Sequence, residues 1–294
     1  LGYRRTTSDS DYLVAGRSVH PLIMAFSYGA TFISTAGIVG FGGVAAVYGM
    51  ALLWLIVFNL VVGVLVAFVL FGKRTRRLAV KLDAQTFPEL LGRHLGSPAI
   101  QGFAGLVIAL TMPLYTALVL VGGARFVETI LAIDFRTALA GFAVIVTAYV
   151  IAGGMKGVLY TDALQGGIMF LGVLVLVSLT YFDSGGITAT HRSLTEMQPL
   201  VPETLAAQGH QGWTAMPAWG TSWWWTLFSS LILGVGIGIL AQPQLIVRFM
   251  TVGSDQALSR AVPVGAVFLS VVTCGALLVG ALCNVYFLTH EGQI

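Results

Sequence analysis

Charge is what this sequence has least of. Of its 294 residues only 15 are Lys or Arg and 12 are Asp or Glu, 9% in all, against about 25% in a typical soluble domain. So few charges cannot cover a water-facing globular surface. With 57% hydrophobic residues and a mean hydropathy of +0.89, the chain reads as an integral membrane protein. Cysteine is almost missing as well. Cys274 and Cys283 stand nine residues apart in one apolar run, roughly 13 Å along a helix, which is too far for a disulfide. Both read as small core residues. No basic stretch, short apolar run and small-residue cleavage site opens the sequence as in a signal peptide, so the spans themselves are expected to direct insertion.

Enzyme signatures are equally scarce, and the chain is not expected to be an enzyme. GVGIGI, residues 234 to 239, has glycine spacing like that of a nucleotide loop, but it lies inside an apolar run with no strand-turn-helix unit around it. His191 and His210 lack paired-His or Cys spacing and read as solvated loop residues rather than zinc ligands. The net charge of +3 comes from basic residues at the ends of apolar runs, a matter of topology rather than of nucleic-acid binding.

What is present is long apolar runs. About twenty such residues cross a 30 Å hydrocarbon core as a helix, and seven segments qualify: 21–47, 50–72, 99–131, 137–153, 158–181, 223–247 and 262–288. No strand alternation competes with this reading. With the chain start in the cytoplasm, twelve Lys or Arg fall inside and three (Arg125, Arg136 and Arg192) outside, a strong positive-inside bias. The expected location is the cell inner (plasma) membrane, multi-pass, with residues 182–222 extracytoplasmic. Five of the six tryptophans, Trp213 to Trp225, then read as an aromatic belt at the outer interface. An odd number of spans, a basic tail before the first and a helix exit at the end lead us to expect a piece of a larger bundle.

Few ionisable residues lie in or beside the spans. Arg125 and Glu128, three apart on one helical face, read as an exposed ion pair. Asp162 has no cation three or four residues away, and the nearest lysine, Lys156, is six away. An intramembrane carboxylate is costly and tends to face a cavity or a cation route; the alternative reading is an interfacial residue one turn inside the span. The stretch FSYGATFISTAGIVGFGG, residues 26–43, is apolar yet carries five glycines and the hydroxyls of Ser27, Thr31, Ser34 and Thr35. Two readings stay open on density alone: close helix packing through small residues, or a broken helix whose freed carbonyls line a cavity.

Four stretches in order, DYLVAGRS, FSYGATFISTAGIVGFGG, AGGMKGVLYTDALQGGIMFLG and QPQLIVRFM, resemble the sodium:solute symporter family. The resemblance runs along essentially the whole chain and implies an all-α membrane protein with the leucine-transporter-type inverted-repeat fold, about seven transmembrane helices of a larger bundle. Residues 1–294 would form a single transporter domain: 19–181 the first five-helix repeat, 182–222 an extracytoplasmic loop, and 223–289 the first two helices of the second repeat. Three further core helices of the family pattern would lie outside these residues.

The implied function is sodium-coupled symport of a small organic solute by alternating access, with Na+ as coupling ion and no other cofactor. The partners implied are the solute, Na+ and the lipid bilayer, with no nucleic acid. Ala30 and Ile33 would bind sodium through backbone carbonyls in a break at Ala30–Ile33, with further ligands beyond residue 294 and Asp162 on the cytoplasmic exit route. Solute would sit near Phe32, Ser34 and Gly37, with Tyr115, Val235 and Ile239 as further candidates. Phe32 stands where proline symporters of the family carry aspartate and sugar members asparagine. Val235 and Ile239 stand where proline symporters carry aromatic residues. Both departures argue against proline and sugar specificity. The alternatives are a membrane sensor domain of a solute-sensing receptor and a non-functional truncated fragment.

Overall fold

Glycine and proline divide the apolar runs. The computed structural model describes residues 6, 8–33 and 36–292, all of them helix, turn or connecting segment with no strand. Among the described residues, five helices are long and apolar enough to cross a membrane: Gly37–Lys81, Pro98–Leu131, Phe135–Asp183, Ser222–Phe249 and Asp255–Glu291. Two of these contain a sharp turn. Gly49 (φ 74°, ψ −157°) and Gly154 (φ 52°, ψ −152°) adopt backbone that side-chain-bearing residues avoid. Phe135–Asp183 is thereby two spans joined at Gly154, matching the expected 137–153 and 158–181.

The first apolar run is broken too. Its leading piece is the helix Pro21–Phe32, and Ile33 leaves helical geometry at φ −89°, ψ 80°. The Ile33 N–H still donates to the Gly29 carbonyl at 2.9 Å, so the ladder is intact as far as Ile33. The break falls at the end of the expected Ala30–Ile33 window rather than across it. A wide helical turn, Ala36–Gly40, precedes the helix Phe41–Tyr48.

The chain forms two compact units. The first comprises residues 1–35, 64–166 and 240–265. Its core stacks Tyr28, Phe68 and Phe249, with Tyr28 and Phe68 centroids 4.6 Å apart and Phe68 and Phe249 5.0 Å apart. A second cluster joins Val14, Ala79, Ala84, Leu90 and Met250. Many of the basic residues read as topology signals act as clamps here. Arg17 donates to the Ala84 carbonyl at 2.9 Å, Lys156 pairs with Asp11, and Arg76 and Arg77 share Asp255 at 2.7 and 2.5 Å.

The second unit comprises residues 36–63, 167–239 and 266–294 and is layered. One layer packs Leu194, Met197 and Trp213 with Ala281, Leu282 and Val285, and Met50 rests against it. The next packs Ala45, Ala51, Leu52, Leu227, Ile232 and Leu277.

Two expectations are corrected in this unit. Trp213, Trp223 and Trp224 are buried inside the protein, while Trp219 and Trp225 are exposed, so only those two can face outward as a belt would. His210 is buried rather than solvated. The reason lies in the helix Phe41–Tyr48, which ends at Gly49 and leaves its last carbonyls without helical donors. Trp213 Nε1 and Asn284 Nδ2 donate to the Ala46 carbonyl at 2.7 and 2.8 Å, and His210 Nε2 donates to Val47 at 2.9 Å. His210 Nδ1 accepts from the Gly212 N–H at 3.1 Å, so the ring is held neutral. Burial pushes its pKa below the ordinary histidine value, against a smaller upward effect of the Val47 bond.

Candidate ion and solute site

Asp162 lies eight residues past the Gly154 turn, on the span that follows it. One of its oxygens, Oδ2, accepts three hydrogen bonds: from Ser27 Oγ at 2.8 Å, from Thr31 Oγ1 at 3.1 Å and from Arg248 Nη2 at 2.6 Å. Ser27 and Thr31 are four apart, on one face of Pro21–Phe32. That face is therefore polar in an otherwise apolar helix because it meets a carboxylate.

Arg248 sits in the last turn of Pro243–Phe249, a helix that packs against Pro21–Phe32. Its guanidinium also donates from Nε to Ser27 Oγ at 2.9 Å and from Nη1 to the Gln244 carbonyl. The side chains are 5% exposed for Arg248 and 15% for Asp162. Asp162 is thus the acidic half of a buried ion pair. The sequence pattern showed no cation within one turn, but the partner comes from 86 residues along the chain. Local reasoning singled out the Ser27 and Thr31 hydroxyls without their Asp162 partner, and it missed Arg248 as a site residue. A signal existed in the principle that ionisable residues within spans pair with one another, since Arg248, in the stretch QPQLIVRFM, stands one residue past an expected span end.

The expected sodium residues share the first unit. Asp162 is tied by Ser27 and Thr31 to the helix that carries Ala30, and Ile33 is buried at that helix's end. The expected solute residues fall in both units. Phe32 and Tyr115 belong to the first, with Tyr115 36% exposed, while Gly37, Val235 and Ile239 belong to the second. Ile239 is 1% exposed and packs over Gly63, where a Cβ would lie 2.6 Å from its Cδ1. Ser34 lies outside the described residues.

A protein-family model described as the sodium:solute symporter family matches residues 12–292. Among curated proteins, the high-affinity proline transporter PutP of Bacillus subtilis is 28% identical over 283 residues, covering 95% of this chain and 56% of the relative. The sodium/pantothenate symporter of Haemophilus influenzae is 28% identical over 282 residues, covering 95% and 55%. The chain spans about half the length of these relatives. Among solved structures, a Na+-coupled sialic acid symporter in a substrate-bound outward-open state matches with a TM-score of 0.78 at 18% identity, over 99% of this chain and 58% of that one. The two share the leucine-transporter-type fold.

Proposed function

The chain belongs to the sodium:solute symporter family, and on that premise we propose that it is the sodium-coupling part of a symporter that carries a small organic solute by alternating access. The whole protein would sit in the inner membrane with residue 1 on the cytoplasmic side. Residues 19–181 would form the first repeat, 182–222 an extracytoplasmic loop and 223–289 the opening helices of the second. Solute would lie beside the broken first span, near Phe32, Ser34, Gly37, Tyr115, Val235 and Ile239. The relatives carry proline and pantothenate, which supports a small, hydrogen-bonding cargo.

The observation that carries the reading is the anchoring of Asp162 to the last turns of a helix that ends at Phe32. A helix end frees carbonyls that hydrocarbon cannot satisfy, and in this family's transport chemistry a sodium ion at the carbonyls of Ala30 and Ile33 satisfies them. Asp162 then offers the next negative charge on the route to the cytoplasm. Arg248 holds that carboxylate in the present conformation, so cation and guanidinium compete for it. Sodium moving down 100 mV supplies about 2.3 kcal/mol, roughly fifty-fold accumulation at one-to-one coupling.

Sodium-dependent uptake by the complete protein in proteoliposomes tests this. Asp162→Asn, counted per inserted molecule, raises the sodium concentration for half-maximal uptake. An unchanged sodium dependence would reduce Asp162 to a structural partner of Arg248.

A further inference from the structure

Among the described residues of the second unit, three buried polar atoms have no hydrogen-bond partner: Trp223 Nε1, in the ring that stacks on Tyr48, Asn59 Oδ1, on a residue 2% exposed, and Thr273 Oγ1, on a residue 8% exposed. Thr273 breaks a local rule. Ser178, Thr180, Thr226, Ser229 and Thr289 in this unit each donate to the carbonyl four residues back, at 2.5 to 2.9 Å. That back-bond is the usual home of a hydroxyl inside a helix. Thr273 lies mid-helix in Asp255–Glu291 and forgoes it.

The layers of the unit place Asn59 and Thr273 on the same side of the Ile232 layer. On Asp255–Glu291 the chain runs from Val285 and Ala281 in the layer around Trp213 back to Leu277 in the layer around Ile232. Thr273 is one further turn in the same direction, on the face of Leu277, about 6 Å beyond it. From Met50, at the first layer, the chain runs to Leu52 in the second. Asn59 continues the buried stripe of Leu52 and Leu55 about 10 Å beyond Leu52. On the third helix Ile232 leads on to Gly236, which faces Phe58, and to Ile239, which faces Gly63. Asn59 and Thr273 therefore both lie past the Ile232 layer, on the side away from Trp213. Apolar Phe58, Val235 and Ile239 lie on that same side of the layer.

We propose that Asn59 and Thr273 are the polar anchors of a solute subsite, and that they bind a neutral hydrogen-bonding group, a hydroxyl or an amide, on a small solute with an apolar body. A buried carbonyl oxygen without a donor is costly, and a solute O–H or N–H supplies that donor while Thr273 takes the second bond. Asn59 Oδ1 is an acceptor, and a carboxylate has no proton to donate to it, so a neutral donor group suits this pair better. The inference rests on the symport reading and gives that site a substrate class.

The test is sodium current on solid-supported membranes carrying the complete protein. The panel holds neutral hydroxyl- and amide-bearing solutes (lactamide, myo-inositol, pantothenamide), a set of amino acids, and acetate and glycine betaine, which lack a donor at neutral pH. Hydroxyl- or amide-bearing solutes are expected to evoke current, and acetate and glycine betaine none. Asn59→Leu and Thr273→Val are near-isosteric, so membrane abundance and thermal stability should hold or rise. They are expected to raise the half-saturating solute concentration tenfold or more without moving the half-saturating sodium concentration.

Currents of equal size from glycine betaine, or half-saturation unchanged in both variants, overturn the subsite while leaving symport in place. The second of these outcomes would mean that ordered water satisfies the two atoms. Silence across the whole panel removes the symport reading, and this inference with it.

Discussion

Arg248→Gln isolates the ion pair that ties the first broken helix to the span of Asp162. Truncating one partner of a buried pair costs about 3 to 5 kcal/mol, because the other charge stays behind uncompensated. Asp162 keeps the Ser27 and Thr31 hydroxyls and is 15% exposed, and hydrogen bonds to a charge retain much of its stabilisation, so the lower part of that range applies, about 3 kcal/mol. Asp162→Asn leaves Arg248, 5% exposed, with only the Gln244 carbonyl and Ser27, and the expected loss is again about 3 kcal/mol. The double variant removes both charges. It should lose only about 1 to 2 kcal/mol, since neutral replacement of a buried pair is well tolerated, giving a coupling of about 4 kcal/mol. The assay is SDS-induced unfolding of the purified protein in mixed micelles, followed by tryptophan fluorescence. Sodium should also stabilise Arg248→Gln more than the parent, the variant gaining about 2.7 kcal/mol at a hundredfold excess over its Kd and the parent less. If the two single losses add within about 0.5 kcal/mol, the pair is not coupled and the reasoning fails.

Three further outcomes are expected. Because the native pKa of His210 lies below its unfolded value near 6.5, the neutral ring stabilises the fold above about pH 6.5. That contribution is lost as pH falls toward the lowered native value, so melting temperature should drop from pH 7 to pH 5 and His210→Gln should flatten the curve; equal slopes in parent and variant refute it. Gly154→Ala places a Cβ 2.6 Å from Tyr12 at φ 52°, costing about 1 to 3 kcal/mol in backbone strain alone, and should lower membrane abundance, whereas Gly102→Ala, with open space at its Cβ, should not. Single cysteines in a cysteine-free background test the topology. An impermeant thiol reagent outside intact cells should label position 208 and spare position 77, both exposed, and the reverse pattern inverts the assignment.

The spans were legible because a bilayer imposes a length and a composition that seventeen or more consecutive residues must satisfy. The turns at Gly49 and Gly154 fall in the gaps between expected spans, and Gly154 shows the physical reason for one of them: its φ of 52° with ψ −152° excludes a Cβ. The end of the first helix came at Ile33 because backbone ladders run to the last turn that can close, and residue type marks that turn only to within a few positions. Trp213 and His210 were misread as outward-facing. Their hydrogen bonds go to Ala46 and Val47, more than 160 residues away, and composition shows only that an indole or imidazole has both an apolar body and a donor.

By itself the sequence determined that this chain is a bundle of apolar helices and, through four ordered stretches, the family to which it belongs. Both are properties of consecutive residues, read by a solvent or by motif. Tertiary structure alone decided which polar groups meet. Asp162 takes its cation from Arg248 rather than from its own helix, and Ser27 and Thr31 face it because two helices pack with those turns in contact. Pairing between distant residues depends on helix rotation and depth, and a one-residue shift turns a helical side chain by about 100°. No local pattern carries that information.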